Sequence, residues 1–201
     1  MTLREPHKPS FREASKDALF VILRPLVRWL SIMRVRPDTL TVIGWTLALF
    51  SAVLFGLGYA RVAGAVMLLG GLFDALDGAV ARESNRMSSF GAFLDSTLDR
   101  LSESAVFVGL IFFYASSARP YEALLAAMAM TFSLLTSYAR ARAEGLNIDC
   151  RVGLLERAGR VVILSVFSIV GLPTVGLGLL AAGALVTTAQ RILHVRRATR
   201  R

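Results

Sequence analysis

The chain of 201 residues contains one cysteine, two histidines and two lysines. A single cysteine, Cys150, excludes an intramolecular disulfide and any cysteine-rich metal centre. His7 and His194 have no partner at metal-ligand spacing. Charge is also scarce. Asp, Glu, Lys and Arg make up 18% of the residues, against about 25% in an ordinary soluble domain. Apolar residues make up 55%, and the mean hydropathy is +0.59. These figures exclude a disordered or collagen-like chain and argue against a typical soluble enzyme. They fit a polytopic membrane protein whose helices carry some polar function. Internal repeats and low-complexity segments are missing as well. Acidic residues are outnumbered 14 to 23 by basic ones, for a net charge of +9. In a soluble protein this excess would suggest nucleic acid. In so apolar a chain it points to anionic lipid headgroups or phosphate-bearing substrates, and no nucleic-acid partner is expected.

Met1 to Lys16 is polar and does not read as a signal peptide. Asp17 to Met33 follows, an apolar stretch interrupted by Arg24, Pro25 and Arg28. Two arginines at the bilayer centre would cost ~2.5–3.5 kcal/mol each, so this stretch reads as an amphipathic helix lying in the interface. Residues 1–38 thus form an N-terminal segment, and 39–201 form the membrane domain. Thr39 to Ala60 is uncharged and long enough to cross the bilayer. Further spans are expected over Arg61 to Arg82, Ser89 to Ala115 and Tyr121 to Arg142. The long uncharged run after Arg160 is divided by Gly171-Leu172-Pro173, because Gly and Pro together mark a turn. It yields a fifth span over Glu156 to Val170 and a sixth over Thr174 to His194. The expected fold is therefore an all-α bundle of six transmembrane helices preceded by an interfacial helix. With six crossings, every basic residue except Arg61 and Arg119 falls on one side. The positive-inside rule makes that side cytoplasmic, for both termini and for the loops described next.

Four aspartates lie where the second and third spans meet that side. Asp74 and Asp77 are three residues apart, and Asp95 and Asp99 are four apart, so each pair shares a helix face. A hairpin would bring the pairs together. Ion pairing with Arg82, Arg86 and Arg100 is one use for such carboxylates. Four of them in one partly buried place call more naturally for a divalent cation, and hard oxygen ligands suit Mg²⁺ or Mn²⁺. Two ions would balance the four charges and clamp a pyrophosphate. Gly78 and Gly91, with nearby alanines, thin the helices so that a ligand or another backbone can approach.

The run from Asp74 to Asp99 reads D-x2-D-G-x2-A-R-x8-G-x3-D-x3-D, with eight defined positions over 26 residues. It resembles the CDP-alcohol phosphotransferase (phosphatidyltransferase) motif at each of those positions, and the six-span layout is similar to that family's. The resemblance implies a phospholipid-biosynthetic transferase. A hydroxyl of an acceptor alcohol attacks the β-phosphorus of a CDP-linked donor, usually CDP-diacylglycerol, and CMP leaves. It also implies that Asp74, Asp77, Asp95 and Asp99 hold the metals, that Asp99 is the general base with Asp95 beside it, and that Gly78 and Arg82 contact the CDP moiety. A homodimer in the cell membrane is part of what the family implies.

Three further stretches bear on the acceptor. Pro37-Asp38-x-x-Thr41 is similar to the form found in actinobacterial phosphatidylinositol phosphate synthases, where the Asp and Thr help to bind nucleotide. Helix capping by Asp38 or Thr39 is the local alternative. Ser88 and Ser89, where the third span opens, are candidate contacts to the nucleotide phosphate, with an ordinary loop as the favoured alternative. Ser137-Tyr138-Ala139-Arg140-Ala141-Arg142-Ala143-Glu144, then Gly153-x-x-Glu156-Arg157-x-x-Arg160, look like segments of the same synthases. Arg140 stands where lysine is usual. Gln190-Arg191 is similar to a further Q-R pair. Ser137, Arg140, Arg157, Arg160 and Arg191 therefore suit an acceptor that already carries a phosphate, held by bidentate hydrogen bonds. Inositol 1-phosphate is favoured, giving phosphatidylinositol phosphate, and glycerol 3-phosphate is the alternative. Topology alone would also place arginines in these loops. Two other classes are considered. Intramembrane prenyl transfer uses helix aspartates for Mg-diphosphate but has no need of the glycines and Arg82 at this spacing. A cation transporter would need acidic residues leading toward the other membrane face.

Overall fold

The computed structural model describes residues 24–33, 35–84 and 88–200. Among them every regular element is helical. Six helices are complete: α1 (Pro37–Gly56), α2 (Ala60–Glu83), α3 (Ser89–Ser116), α4 (Pro120–Glu144), α5 (Arg157–Ile169) and α6 (Pro173–Ala198). Each coincides with one expected span. Residues 24–32 are helical as well. Asp17 to Leu23, the first part of the expected interfacial helix, lie outside the described residues.

Local chemistry sets the helix ends. Proline opens α1, α4 and α6 in their first turns, where its missing N–H is not needed. Ser88 caps α3, its Oγ accepting from the Gly91 N–H at 2.9 Å. The turn between α5 and α6 uses Gly171 with φ +84°, a left-handed conformation that glycine adopts without steric cost.

Four helices (α1, α2, α4 and α6) are long and apolar enough to cross a membrane. α3 has 28 residues, but Asp95, Asp99 and Arg100 lie in its first half and Glu103 at its middle. α5 has only 13 residues, which at 1.5 Å per residue is ~20 Å. The chain approaches α5 as non-helical backbone running alongside α6. There the Leu155 N–H donates to Thr187 Oγ1 at 2.9 Å, and Arg191 Nε donates to the Val152 carbonyl at 3.0 Å. These side chains of α6 satisfy backbone groups that no helix of the lead-in itself would satisfy. Gly153, at φ +139°, lies so close to Thr187 that no side chain fits there.

The helices pack as a closed ring in the order α1, α2, α5, α6, α4, α3 and back to α1. The main apolar core runs through it, with Phe55, Phe107, Leu110, Tyr114, Leu164, Leu177 and Leu180 buried. A second cluster lies at the acidic end. Val27, from the helical segment before α1, packs there with Leu40, Leu76, Ala79 and Val80. Leu26, Trp29, Ile32 and Met33 of that segment are exposed.

Close helix contacts depend on missing side chains, as is usual between membrane helices. A Cβ on Gly109 of α3 would collide with the Ala52 carbonyl of α1. One on Gly64 of α2 would lie 2.7 Å from the Ser165 carbonyl of α5. Gly178, by contrast, has nothing within 4 Å of that position. Gly64→Val and Gly109→Val are therefore expected to lower stability in detergent by about 1–3 kcal/mol or more, the usual range for overpacking. Gly178→Val should stay near wild type. Thermal unfolding of the three variants checks this, and equal midpoints would refute the close packing.

Candidate active site

Asp74 and Asp77 lie within the last three turns of α2, and Asp95 and Asp99 on the early turns of α3. The short connection between the two helices brings them to one end of the bundle. Asp74, Asp95 and Asp99 each present a carboxylate oxygen within 4.8 Å of the others. Three hard oxygen donors at this spacing fit a divalent cation such as Mg²⁺ or Mn²⁺. Asp77 stands apart from this trio. Its Oδ2 accepts from Thr41 Oγ1 of α1 at 2.6 Å, and it is buried. The interaction joins two residues singled out for different tasks, Thr41 for nucleotide and Asp77 for metal.

A pocket opens between α1, α2 and the start of α3. Asp38, Thr41, Asp77, Gly78, Arg82, Gly91 and Asp95 line it. The structure thus gathers Gly78, Gly91 and Arg82 of the motif with Asp38 and Thr41, 37 residues and more away in sequence. Ser88 lines the pocket rather than Ser89. Gly78 has only the tip of Arg82 near its Cβ position, at 3.4 Å, so the backbone is open to a ligand.

A second, polar cavity lies between α3, α4, α5 and α6. Asp95, Asp99, Ser137, Arg140, Arg157, Arg160 and Arg191 border it, together with Glu144 and Glu156. All five residues expected to serve the acceptor are therefore assembled in one place. Their present partners differ. Arg140 pairs with Glu144 one turn away, Nε to Oε1 2.8 Å. Arg157 is a fork between two helices: Nη1 reaches Asp74 Oδ2 and Nη2 reaches Asp99 Oδ1, each at 2.8 Å. Arg191 is buried and donates to the carbonyls of Val152 and Thr136, which ties the approach to α5 onto α4.

Arg160 is only 2% exposed. Its Nε and Nη2 bind Glu103 Oε1 and Oε2 at 2.6 and 2.8 Å, and Nη2 lies 3.5 Å from Ser137 Oγ. Glu103 is the residue that reading the sequence overlooked as part of the site. The available signal was spacing, since 95, 99 and 103 continue one face of α3, and an acidic residue inside an apolar span requires a partner. Removing one member of such a buried pair typically costs ~3–5 kcal/mol.

The site is thus an acidic trio flanked on one side by a glycine-lined pocket and on the other by a cation-lined cavity. The chain matches the family model for CDP-alcohol phosphatidyltransferase over residues 34–190. The chain belongs to the CDP-alcohol phosphatidyltransferase family. It is 35% identical to the phosphatidylinositol phosphate synthase of Mycobacterium tuberculosis over 189 residues, covering 89% of this chain and 87% of that protein. It is 36% identical to the archaetidylinositol phosphate synthase of Methanothermobacter thermautotrophicus over 165 residues, covering 79% and 82%. The fold is similar to the crystal structure of the Mycobacterium tuberculosis synthase with CDP-DAG bound, with a TM-score of 0.77 at 34% identity, over 85% of this chain and 92% of that one. The same relative has been solved in complex with manganese and citrate, also at a TM-score of 0.77 and 34% identity, over 86% and 88%. This phosphatidyltransferase is therefore a membrane-embedded transferase with a site suited to divalent metal.

The fork of Arg157 supplies the positive charge that keeps Asp74 and Asp99 together. Replacing it by glutamine leaves the trio mutually repulsive. Arg157→Gln is expected to lower the thermal midpoint of the metal-free protein by several degrees. Mn²⁺ should then raise that midpoint by more than it raises the wild type's. Equal Mn²⁺-induced shifts would show that Arg157 does not share the charge of the trio.

Proposed function

We propose that this phosphatidyltransferase transfers the phosphatidyl group of CDP-diacylglycerol to a hydroxyl of inositol 1-phosphate, giving phosphatidylinositol phosphate and CMP. The observation that carries this reading is that the glycine-lined pocket and the cation-lined cavity share Asp95. A donor pyrophosphate over Gly78 and Arg82 would therefore meet an acceptor held among arginines at the carboxylates. Two relatives from a bacterium and an archaeon have names that differ in the lipid but share the inositol phosphate. Their agreement supports the same acceptor here.

In the reaction the acceptor hydroxyl oxygen bonds to the β-phosphorus, the bond from that phosphorus to the CMP oxygen breaks, and the hydroxyl proton passes to Asp99. A divalent ion held by Asp74, Asp95 and Asp99 would neutralise charge on the bridging phosphates, with Asp77 completing a set for two ions, Mg²⁺ or Mn²⁺. Asp38 and Thr41 border the nucleotide, with Ser88 rather than its neighbour Ser89 near the phosphate. Ser137, Arg140, Arg157, Arg160 and Arg191 frame the acceptor phosphate, for which paired N–H donors are apt.

The same reading takes all six helices of residues 39–201 as membrane crossings, with the described helical segment 24–32 lying in the interface. Both termini and the site face the cytoplasm, and two copies form a homodimer in the cell membrane. The basic residues support that orientation, since Arg82, Arg140, Arg157 and Arg191 gather at the end of the bundle that holds the aspartates. A site at that depth admits a lipid donor from the bilayer and a polar acceptor from water.

The test is CMP release by purified protein with CDP-diacylglycerol and Mg²⁺. Inositol 1-phosphate, glycerol 3-phosphate, inositol, glycerol and serine are offered in parallel. Release with inositol 1-phosphate alone is expected. Release with glycerol 3-phosphate instead would keep the reaction and replace the acceptor. Asp99→Asn should reduce turnover by at least a hundredfold, in the range of general-base loss, while CDP-diacylglycerol still binds. Loss of donor binding in that variant would remove Asp99 from the role of base.

A further inference from the structure

Glu103 lies outside the family motif, one turn beyond Asp99 on α3. It is 6% exposed, and one guanidinium occupies both of its carboxylate oxygens. A side-on bidentate pair fixes the plane of the guanidinium as well as its position. Two of the three nitrogens of Arg160 are thereby committed to Glu103. The third, Nη1, makes no hydrogen bond among the described residues, yet it is not among the polar atoms sealed away without a partner. Arg160 borders the polar cavity, so Nη1 is the nitrogen left for whatever enters there.

An ion pair is not needed to hold α3 against α5. Well-packed apolar side chains of similar volume would hold two helices at least as well, because burying the two charges is costly. They could not fix the direction of a hydrogen-bond donor. The pair is also net neutral, so Arg160 brings direction to the cavity rather than charge.

We propose that Glu103 is a positioning residue for the acceptor: it clamps Arg160 so that Nη1 presents its N–H donors to the anionic group of the molecule bound in the polar cavity. The proposal rests on the reading of that cavity as the acceptor's site. Glu103 does not touch substrate and acts through Arg160. Loosening the clamp should therefore weaken acceptor binding while leaving the donor side and the bond-making step in place.

The experiment compares the full-length wild type with Glu103→Gln, Arg160→Met and the double variant Glu103→Leu/Arg160→Met. Steady-state CMP release gives KM for inositol 1-phosphate, KM for CDP-diacylglycerol and kcat. Calorimetry with inorganic phosphate gives a binding constant independent of turnover, and thermal unfolding reports folding. Glu103→Gln is expected to raise the acceptor KM at least fivefold, with kcat and the donor KM within twofold of wild type. The double variant, free of uncompensated buried charge, should recover the wild-type thermal midpoint but keep the raised acceptor KM of Arg160→Met. Phosphate binding should weaken at least fivefold in both. A wild-type acceptor KM and wild-type phosphate affinity in the double variant would show the pair to be purely structural and overturn the proposal. Equal changes in kcat and both KM values for Glu103→Gln would do the same. If Glu103→Gln does not fold, the double variant decides. If the wild type binds phosphate but does not turn over inositol 1-phosphate, the acceptor assignment fails, and the phosphate affinities of the variants still decide the role of Glu103.

Discussion

Two arginines one turn apart, at the start of a 13-residue helix, constrain the arrangement of everything around them. Arg160 is nearly sealed from solvent and Arg157 is half-buried. Neither charge is tolerable at such depth without a carboxylate of matching geometry. α3 supplies both partners, Asp99 and Glu103, which like Arg157 and Arg160 lie about one helical turn apart. α2 adds Asp74. The short helix is thereby fixed against two neighbours, and the ring of six helices closes with the carboxylates inside it.

The arrangement divides the end of the bundle into two compartments. On the α1–α2 side the wall is thin and built on Gly78 and Gly91, with Arg82 the cation at its edge. On the α4–α6 side the wall carries arginines already oriented by glutamates, by backbone carbonyls and by the approach to α5. A lipid-linked pyrophosphate and a water-borne phosphate differ in how they arrive and in what recognises them. On the proposed reading, one recognition surface lies on each side of the carboxylates, and both anions approach the same few ångströms without sharing donors.

Most of the fold was legible because its signals are local. Uncharged runs bounded by proline or by Gly-Pro give helices whose ends fall within a few residues of the expected spans, and Ser88 caps α3 where a start was expected. The aspartate motif was legible because its spacing repeats the helical period. Less legible was whatever depends on a partner far along the chain. The hydrogen bond from Thr41 to Asp77 crosses 36 residues, and Arg160 to Glu103 crosses 57. In the sequence Glu103 is one more acidic residue, a turn past Asp99 and outside the motif. Arg191 looked like a ligand contact, and in the folded chain it also binds two backbone carbonyls. The short α5 was expected over Glu156 to Val170, but the way its non-helical lead-in is held along α6 was not legible, because side chains of α6 rather than its own composition satisfy that backbone.

The sequence by itself determined that the chain is helical and apolar, where its helices begin and end, and that four carboxylates at helical spacing share the basic end of the molecule. Those properties follow from composition, periodicity and charge, which act over a few residues at a time. Only the tertiary structure decided that three of the four carboxylates converge while Asp77 turns to Thr41. It also decided that the arginines gather in a single cavity, and that Glu103 takes up the charge of Arg160. These are outcomes of packing. A buried charge must find its counter-charge among whatever residues the ring of helices brings within about 3 Å, and the sequence does not list those neighbours.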